Sequence, residues 1–296
     1  MENNFGPLLT AMVTPLNDKL EVNYDQAAKL ATYLLENGSD GIVVAGTTGE
    51  SPTLTFEEKC ELFKTVVAAV KGRGAVIAGT GSYSTKESVK LTIEAEKIGV
   101  DGIMLVTPYY NKPPQQSLYL HFKEIASATS LPVMLYNVPG RTGTNMSAET
   151  TLRLAEIDNI VAVKEASGSI EQITDICRKA PPGFALYSGA DPMTLPILSV
   201  GGVGVVSVAS QIAGKEIKKM INAYFNGDVQ LACRIHQQLF PLFKGIFISS
   251  NPIPIKEALN LKGFNVGNPR LPLSPLNAEQ KEKLVRVLEE LDEVKL

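Results

Sequence analysis

The sequence predicts a (β/α)8 barrel, an α/β TIM-barrel fold, with a C-terminal helical appendage. Three observations carry this prediction. Eight short, mostly apolar runs alternate with helix-length segments over the first 226 residues. Runs of this kind suit parallel strands that are covered on both faces. Polar residues collect just after the runs, where a barrel places its active site.

The predicted strands are spaced so that each leaves room for a helix before the next. They span residues 8–13, 41–45, 75–79, 102–106, 132–136, 160–164, 185–188 and 204–208. The helical segments begin near Tyr24, Thr55, Ser84, Pro114, Ser147, Ser169, Pro192 and Ala213. Eight strands alternating with eight helices are typical of a closed barrel. A doubly wound open sheet is the alternative, but it usually has fewer strands and a nucleotide fingerprint.

Three of the helix starts match the capping box, in which two side chains satisfy the first free amides of a helix. The boxes are expected at 55–58, 84–87 and 169–172. They support the number of helices more strongly than the positions of their ends.

Residues 227–296 break the alternation and form a second predicted region after the 1–226 barrel. Helices are expected at 228–247 and 254–261, followed by a proline-rich connection at 268–275. The last helix begins at Asn277, and its apolar stripe consists of Leu284, Val287, Leu288, Leu291 and Val294. The stripe fits either packing on the barrel or contact between subunits, and the sequence leaves both open.

The composition describes a soluble globular protein, with 44% hydrophobic and 20% charged residues. A net charge of -3 offers no basic surface for nucleic acid. The chain has no apolar run of transmembrane length and no signal-peptide pattern, so no membrane partner is expected. Its three cysteines are far apart and odd in number, which predicts reduced thiols in a cytoplasmic protein.

Neither a metal nor an organic cofactor is expected. The two histidines, His121 and His236, lie in separate helical segments without HxxH or CxxC motifs nearby. The glycine cluster at 201–204 lacks the GxGxxG frame, and no Walker lysine follows any glycine loop. The chemistry is therefore predicted to come from the chain's own side chains.

Lys164 is the candidate nucleophile, because it stands at the end of an apolar predicted strand. An ammonium group there loses water, and desolvation lowers the pKa of a lysine. A lysine with a lowered pKa can form a Schiff base with a carbonyl compound. The alternative is a lysine whose ammonium simply reaches the solvent at the strand end. Lys112, after a loop turn, and Lys256, in a helical run, compete less well.

Three further groups lie at strand ends near Lys164. Tyr136 is predicted to be in register with Lys164 and could pass protons during imine chemistry, or only pack. The turn containing Thr47 and Thr48 could present amides and hydroxyls to a carboxylate, or be a plain connection. Arg141 suits a bidentate grip on a second carboxylate, although a lone arginine is commonly a solvated surface residue.

These residues resemble the dihydrodipicolinate synthase (4-hydroxy-tetrahydrodipicolinate synthase) family, within the pyruvate-dependent class I aldolase and N-acetylneuraminate lyase group. The matching motifs are GTTGES at 46–51, TPYY at 107–110, YNVPGRT at 136–142, KEASG at 164–168, NPIPIK at 251–256 and RLPL at 270–273. They run in order over almost the whole chain, and together they are far more specific than any one of them.

The resemblance implies a lyase, a carbon–oxygen lyase with lysine chemistry, that condenses pyruvate with aspartate semialdehyde in lysine biosynthesis. It implies Lys164 as nucleophile, Tyr136, Thr47 and a neighbouring subunit's Tyr110 as a proton relay, and Arg141 as a ligand of the second substrate. The remaining implied substrate-binding residues are Thr48, Gly189 and Val206. A homo-oligomer is implied, at least a tight dimer and usually a tetramer.

Inhibition by lysine is expected to be weak or absent. In lysine-inhibited members of the family, small polar, histidine and asparagine side chains line the inhibitor cleft. The corresponding positions here are Ser51, Pro52, Phe56, Lys59, Tyr83, Glu87 and Tyr109. Phe56 and Tyr83 are bulky, and the ammonium of Lys59 repels that of a lysine ligand.

Two other functions remain open at this point. The same lysine chemistry could act on a sugar or sugar-acid aldehyde, as in N-acetylneuraminate lyase or keto-deoxy sugar acid aldolases. A barrel could also bind pyruvate or an amino acid as a sensor without turnover. The paired threonines and the PGRT loop favour the synthase, and the complete set of candidate catalytic residues argues against a sensor.

Overall fold

A computed structural model describes residues 5–293 as a closed barrel of eight parallel strands. The strands pair in sequence order, and β8 closes the barrel against β1. They are β1 Leu8–Ala11, β2 Gly41–Val44, β3 Ala75–Gly79, β4 Gly102–Val106, β5 Val133–Asn137, β6 Ile160–Glu165, β7 Ala185–Ser188 and β8 Gly204–Ser207. The predicted (β/α)8 fold is confirmed, and the open doubly wound sheet is excluded.

Helices follow every strand. They are α1 Tyr24–Glu36, α2 Phe56–Val70, α3 Thr85–Ile98, α4 Gln115–Ala126, α5 Pro139–Thr142, α6 Ala148–Ala155, α7 Ile170–Lys179, α8 Thr194–Ser199, α9 Ser210–Phe225, α10 Val229–Gly245, α11 Ile253–Leu261 and α12 Ala278–Glu293. Short 3-10 turns occupy Ser51–Thr53 and Asp191–Met193. No helix among residues 5–293 is long and apolar enough to cross a membrane.

Helices α5 and α9 differ from the sequence prediction. The Pro-Gly-Arg segment, expected as a loop, forms the single helical turn α5, which begins at Pro139 because a proline already has a helical φ at the first position. Helix α9 begins at Ser210 rather than near Ala213, and Ala213 itself has non-helical backbone angles that kink the helix.

The predicted capping box at the start of α2 is confirmed. The Thr55 hydroxyl accepts a hydrogen bond from the Glu58 amide at 3.1 Å, and the Glu58 carboxylate accepts one from the Thr55 amide at 2.9 Å. Both free amides are thereby satisfied by local side chains, so the helix start is fixed close to the mouth of the barrel.

The other two predicted boxes form only in part. The hydroxyls of Ser84 and Ser169 each accept a bond from the amide three residues later. Their own amides, however, donate to Ser82 at 3.1 Å and to Ser167 at 3.2 Å. Because a serine two residues earlier already satisfies each cap amide, the reciprocal half of the box has no role.

The last three helices pack on the same core as the barrel. Leu284 and Leu288 of α12 are buried, and Val287 and Leu291 are partly buried against that core. The stripe on α12 therefore serves packing within the chain, and its predicted member Val294 lies outside the described residues. The division of the chain at residues 226 and 227 stays a prediction.

Candidate active site

Lys164 lies inside the barrel near the carboxyl end of β6. It is 5% exposed, and its Cα is in register with Tyr136 on β5 and Tyr187 on β7. The Nζ atom is 4.1 Å from the centroid of the Tyr136 ring. The predicted register of Tyr136 and Lys164 is confirmed, and Lys164 does not extend into solvent at the strand end.

Burial changes the acid–base state of Lys164. Desolvation lowers the pKa of its amine to about 7, and the positive charge of Arg141 acts in the same direction. The carboxylate of Asp191 acts in the opposite direction and raises this pKa. At neutral pH a large fraction of Lys164 is therefore the free amine that attacks a carbonyl.

Asp191 is a buried carboxylate just beyond β7, and its side chain is fixed by three donors. It accepts hydrogen bonds from the Ser207 hydroxyl, from the Val208 amide at 3.1 Å and from the Ala209 amide at 3.2 Å. Burial raises the pKa of Asp191, while these donors and Lys164 lower it. The sequence analysis assigned Asp191 no role, and the structure makes it the acidic group that acts on Lys164.

Tyr136 is a buried phenol held next to the lysine. The amide and hydroxyl of Thr107 both donate to the Tyr136 carbonyl, at 2.9 and 3.0 Å, which fixes the end of β5. Burial raises the pKa of Tyr136, whereas Arg141 and a hydrogen bond with Thr47 lower it. With its pKa raised, the phenol stays protonated at neutral pH and can donate a proton to an intermediate on Lys164.

The turn after β2 offers its own polar groups to the cleft. The amides of Gly49 and Glu50 bond back within the turn to the carbonyls of Gly46 and Thr47, both at 3.1 Å. The amides of Thr47 and Thr48 have no hydrogen-bond acceptor in the described part of the chain. A Cβ on Gly49 would lie 3.1 Å from the Ala45 Cα, so the tight turn favours glycine there.

This turn carries backbone strain. Ala45 and Glu50, which flank it, have φ values of 52° and 57°, in the left-handed region that non-glycine residues rarely adopt. Each such residue costs about 1–3 kcal/mol and persists only where surrounding contacts enforce it. The strain is concentrated around the two threonines predicted to bind a carboxylate.

One asparagine links Thr48 with Arg141, two of the three residues predicted to bind carboxylates. The Asn251 side-chain amide donates to the Thr48 hydroxyl at 2.9 Å, and the Asn251 carbonyl accepts from Arg141 Nη2 at 3.4 Å. Arg141 is exposed on α5, and it lines the same cleft as Tyr136 and Thr47. Its guanidinium is therefore available to a ligand in the cleft.

Lys256 forms a buried ion pair with the strained turn. Its Nζ donates to Glu50 Oε1 at 2.8 Å, and the two side chains are 1% and 2% exposed. Burial lowers the pKa of Lys256, and the Glu50 carboxylate raises it. The sequence interpretation gave Lys256 only a helical position, so this contact with the site was missed.

The three remaining predicted site residues are Gly189, Val206 and Tyr110. A Cβ on Gly189 would lie 3.2 Å from Lys164 Cγ, so glycine leaves room for the lysine side chain. Val206 is a buried residue of β8 in register with Leu9. Tyr110 is 93% exposed with a φ of 73°, and it does not line the cleft of its own chain.

The cleft at the carboxyl ends of the strands has a volume of about 190 Å³. Its polar lining residues are Thr47, Ser51, Tyr109, Tyr136, Arg141 and Thr142. A second cleft of about 240 Å³ adjoins it through Ser51 and Tyr109, and all seven positions predicted for the inhibitor site line it. Of the predicted catalytic and substrate-binding residues, Thr47, Tyr136 and Arg141 line the first cleft, whereas Lys164 and Thr48 are not among its lining residues.

Residues 4–291 match the family described as the dihydrodipicolinate synthetase family. A 4-hydroxy-tetrahydrodipicolinate synthase of Heliobacterium modesticaldum is 59% identical over 285 residues, 96% of this chain and 95% of the relative. One of Desulforudis audaxviator is 57% identical over 290 residues, 98% and 99% of the two chains. The structure of DHDPS from Cyanidioschyzon merolae with lysine bound is 51% identical, has a TM-score of 0.97, and covers 99% of this chain and 100% of that chain.

Proposed function

The chain belongs to the dihydrodipicolinate synthetase family, and we propose that it condenses pyruvate with L-aspartate 4-semialdehyde to give 4-hydroxy-tetrahydrodipicolinate. It is a lyase of the diaminopimelate route to lysine. The observation that carries this proposal is the buried Lys164, whose pKa is lowered to about 7, directly beside the Tyr136 ring. The cytoplasmic location predicted from the sequence stays a prediction.

The first half of the reaction makes a carbon nucleophile on Lys164. The free amine adds to the ketone of pyruvate, and loss of water from the carbinolamine gives an iminium. Tyr136 donates the proton that lets hydroxide leave as water. Removal of a methyl proton then converts the iminium into an enamine, while the hydroxyls and amides of Thr47 and Thr48 bind the pyruvate carboxylate.

The second half joins the two substrates and releases the lysine. The enamine carbon attacks the aldehyde of aspartate semialdehyde, and the new C–C bond leaves an alkoxide that takes up a proton. The substrate's own amine then displaces Lys164 from the imine carbon, which closes the ring and regenerates the free amine. Arg141 binds the carboxylate of this second substrate.

We propose that Tyr110 serves the site of a second subunit. Its 93% exposure and its left-handed backbone place a strained aromatic residue on the surface next to Tyr109, which lines the cleft. Non-glycine residues with a left-handed backbone cluster at active sites and ligand contacts. A tight dimer would complete the relay from Tyr136 through Thr47 to Tyr110 of the neighbouring subunit.

Replacing Arg141 by alanine should separate the two substrates. We expect the KM for aspartate semialdehyde to rise about 30-fold or more, because a charge-assisted bond to its carboxylate is lost. Borohydride trapping of pyruvate on Lys164 should change less than about threefold. Steady-state kinetics and mass spectrometry measure the two effects, and Arg178→Ala, an exposed arginine of α7, is the control. Equal damage to both substrates would contradict the role of Arg141.

Lysine should inhibit this protein weakly or not at all. Phe56 and Lys59 line the second cleft, and Lys90 Nζ lies 4.3 Å from the centroid of the Phe56 ring, which adds another cationic group beside it. Burial lowers the pKa of Lys59, yet the side chain still occupies the cleft. In a coupled assay, about 1 mM L-lysine should leave most activity. Strong inhibition below that concentration would contradict this prediction.

A substrate panel tests the proposed function. Pyruvate should be turned over with aspartate semialdehyde at a kcat/KM at least about 100-fold above that with N-acetylmannosamine or glyceraldehyde. Preference for a sugar aldehyde would instead make the protein an aldolase of the N-acetylneuraminate lyase type. Tight pyruvate binding without condensation with any aldehyde would indicate a sensor.

A further inference from the structure

The turn that carries Thr47 and Thr48 depends on contacts from outside the barrel. Its flanking residues Ala45 and Glu50 both have left-handed backbone angles, and Glu50 is only 4% exposed. A buried carboxylate on a strained residue needs strong partners, because the conformation persists only where its surroundings enforce it. Those partners come from the C-terminal region.

Lys256 on α11 is the main partner of Glu50. Its ammonium donates to Glu50 Oε1 at 2.8 Å, to the Thr14 carbonyl at 3.1 Å and to the Asn268 carbonyl at 3.1 Å. These three bonds use all three protons of the ammonium. The other oxygen of Glu50 accepts from the Arg270 amide at 2.8 Å. Glu50 is therefore fixed through both of its carboxylate oxygens.

Arg270 extends this support to the start of α2. Its guanidinium makes a bidentate pair with Glu58, with Nη2 to Oε1 at 2.6 Å and Nη1 to Oε2 at 2.8 Å. Glu58 is the same residue that closes the capping box of α2. The backbone on both sides of the Ser51–Thr53 turn is thus held by residues of the C-terminal region.

Asn251 determines how the Thr48 hydroxyl can act. Its side-chain amide donates to Thr48 Oγ1 at 2.9 Å, so this oxygen is already an acceptor. A hydroxyl has one proton to donate, and the Asn251 bond leaves that proton available. The proton can then be donated to an anion in the cleft. The contact favours Thr48 as a donor to a carboxylate.

We infer that Lys256 and Asn251 are positioning residues, which hold the 45–50 turn and the Thr48 hydroxyl in the geometry that binds the pyruvate carboxylate. The inference rests on the proposed function and deepens it, since it assigns the C-terminal region a part in recognising the first substrate. Neither residue is placed to touch the reacting carbon, and each acts through the turn.

Two variants test the inference with the full-length protein. The double variant Glu50→Gln/Lys256→Met removes both charges of the buried pair, so that neither is left unpaired. Asn251→Asp keeps the shape of the side chain, but its carboxylate accepts the Thr48 proton and repels an anion. In both variants, the pyruvate concentration for half-maximal borohydride trapping on Lys164 should rise about tenfold or more. The KM for aspartate semialdehyde should change less than about threefold.

The control is Lys262→Met, which removes an ion pair with Asp292 at the surface of the same region. It should leave both substrate constants within about twofold of the wild type. Thermal melting shows whether each variant is folded. Unchanged pyruvate dependence in folded variants, or equal losses for both substrates that follow the loss of Tm, would overturn the inference. A wild type that forms no pyruvate adduct would overturn the proposed function itself, and this inference with it.

Discussion

Lys164→Ala is expected to abolish borohydride trapping of pyruvate and to lower kcat by more than about 10³-fold, because the covalent intermediate cannot form without the amine. Lys164 is buried, with 5% of its surface exposed, and it is the single lysine among the residues of β5, β6 and β7. No neighbouring lysine can therefore replace it. The measurement is mass spectrometry of the trapped protein together with the steady-state rate.

A second variant separates chemistry from folding. Lys164→Ala leaves a cavity in the barrel, whereas Lys164→Met fills the space with an apolar side chain of similar length. Both should be equally inactive, and Lys164→Met should melt near the wild-type temperature. Lys179→Ala, which removes an exposed lysine of α7, should keep full trapping and turnover. An adduct in either Lys164 variant would contradict the assignment.

Tyr136→Phe is expected to lower kcat about 100-fold or more, because general acid–base catalysis contributes roughly 10²–10⁴-fold. The variant keeps the ring that lies 4.1 Å from Lys164 Nζ and loses only the hydroxyl. Pyruvate should still become trapped on Lys164 at equilibrium, but more slowly. Rapid-quench kinetics of adduct formation measures this difference.

Tyr187→Phe is the matched control, since it removes a buried hydroxyl from the other register neighbour of Lys164. The Tyr187 hydroxyl donates to the Gly6 carbonyl at 3.1 Å. Gly6 precedes β1, so this bond lies at the amino end of that strand, away from the cleft. Its loss should change kcat less than about threefold. Similar losses in both tyrosine variants would show that the Tyr136 effect is structural.

The barrel could be predicted from the sequence because its strands are buried on both faces. An apolar run such as Gly102–Val106 is then visible in the sequence alone, and this strand was predicted with the observed bounds. The capping boxes were less reliable. Ser84 matched the pattern, but its amide bonds to Ser82, a local competitor that the box motif does not consider.

The site could be predicted where the signal was local. Lys164 and Tyr136 are distinctive because each ends an apolar strand. The contact of Lys256 with Glu50 joins residues 206 positions apart, and in the sequence Lys256 resembles any polar residue of a helix. Asn251 was seen only as part of a family motif. Long-range polar contacts of this kind have no periodicity, so only the folded chain reveals them.

Burial makes Lys164 a free amine near neutral pH, and the catalytic role of the residue depends on this. The direct test is the initial rate of adduct formation with pyruvate at a series of pH values, quenched with borohydride and mapped to the peptide that contains Lys164. Because the pKa of Lys164 is lowered to about 7, the rate should rise with pH through that value and level off above about pH 8. A rate that keeps rising toward pH 10, or an adduct on another lysine, would contradict the lowered pKa and the nucleophilic role of Lys164.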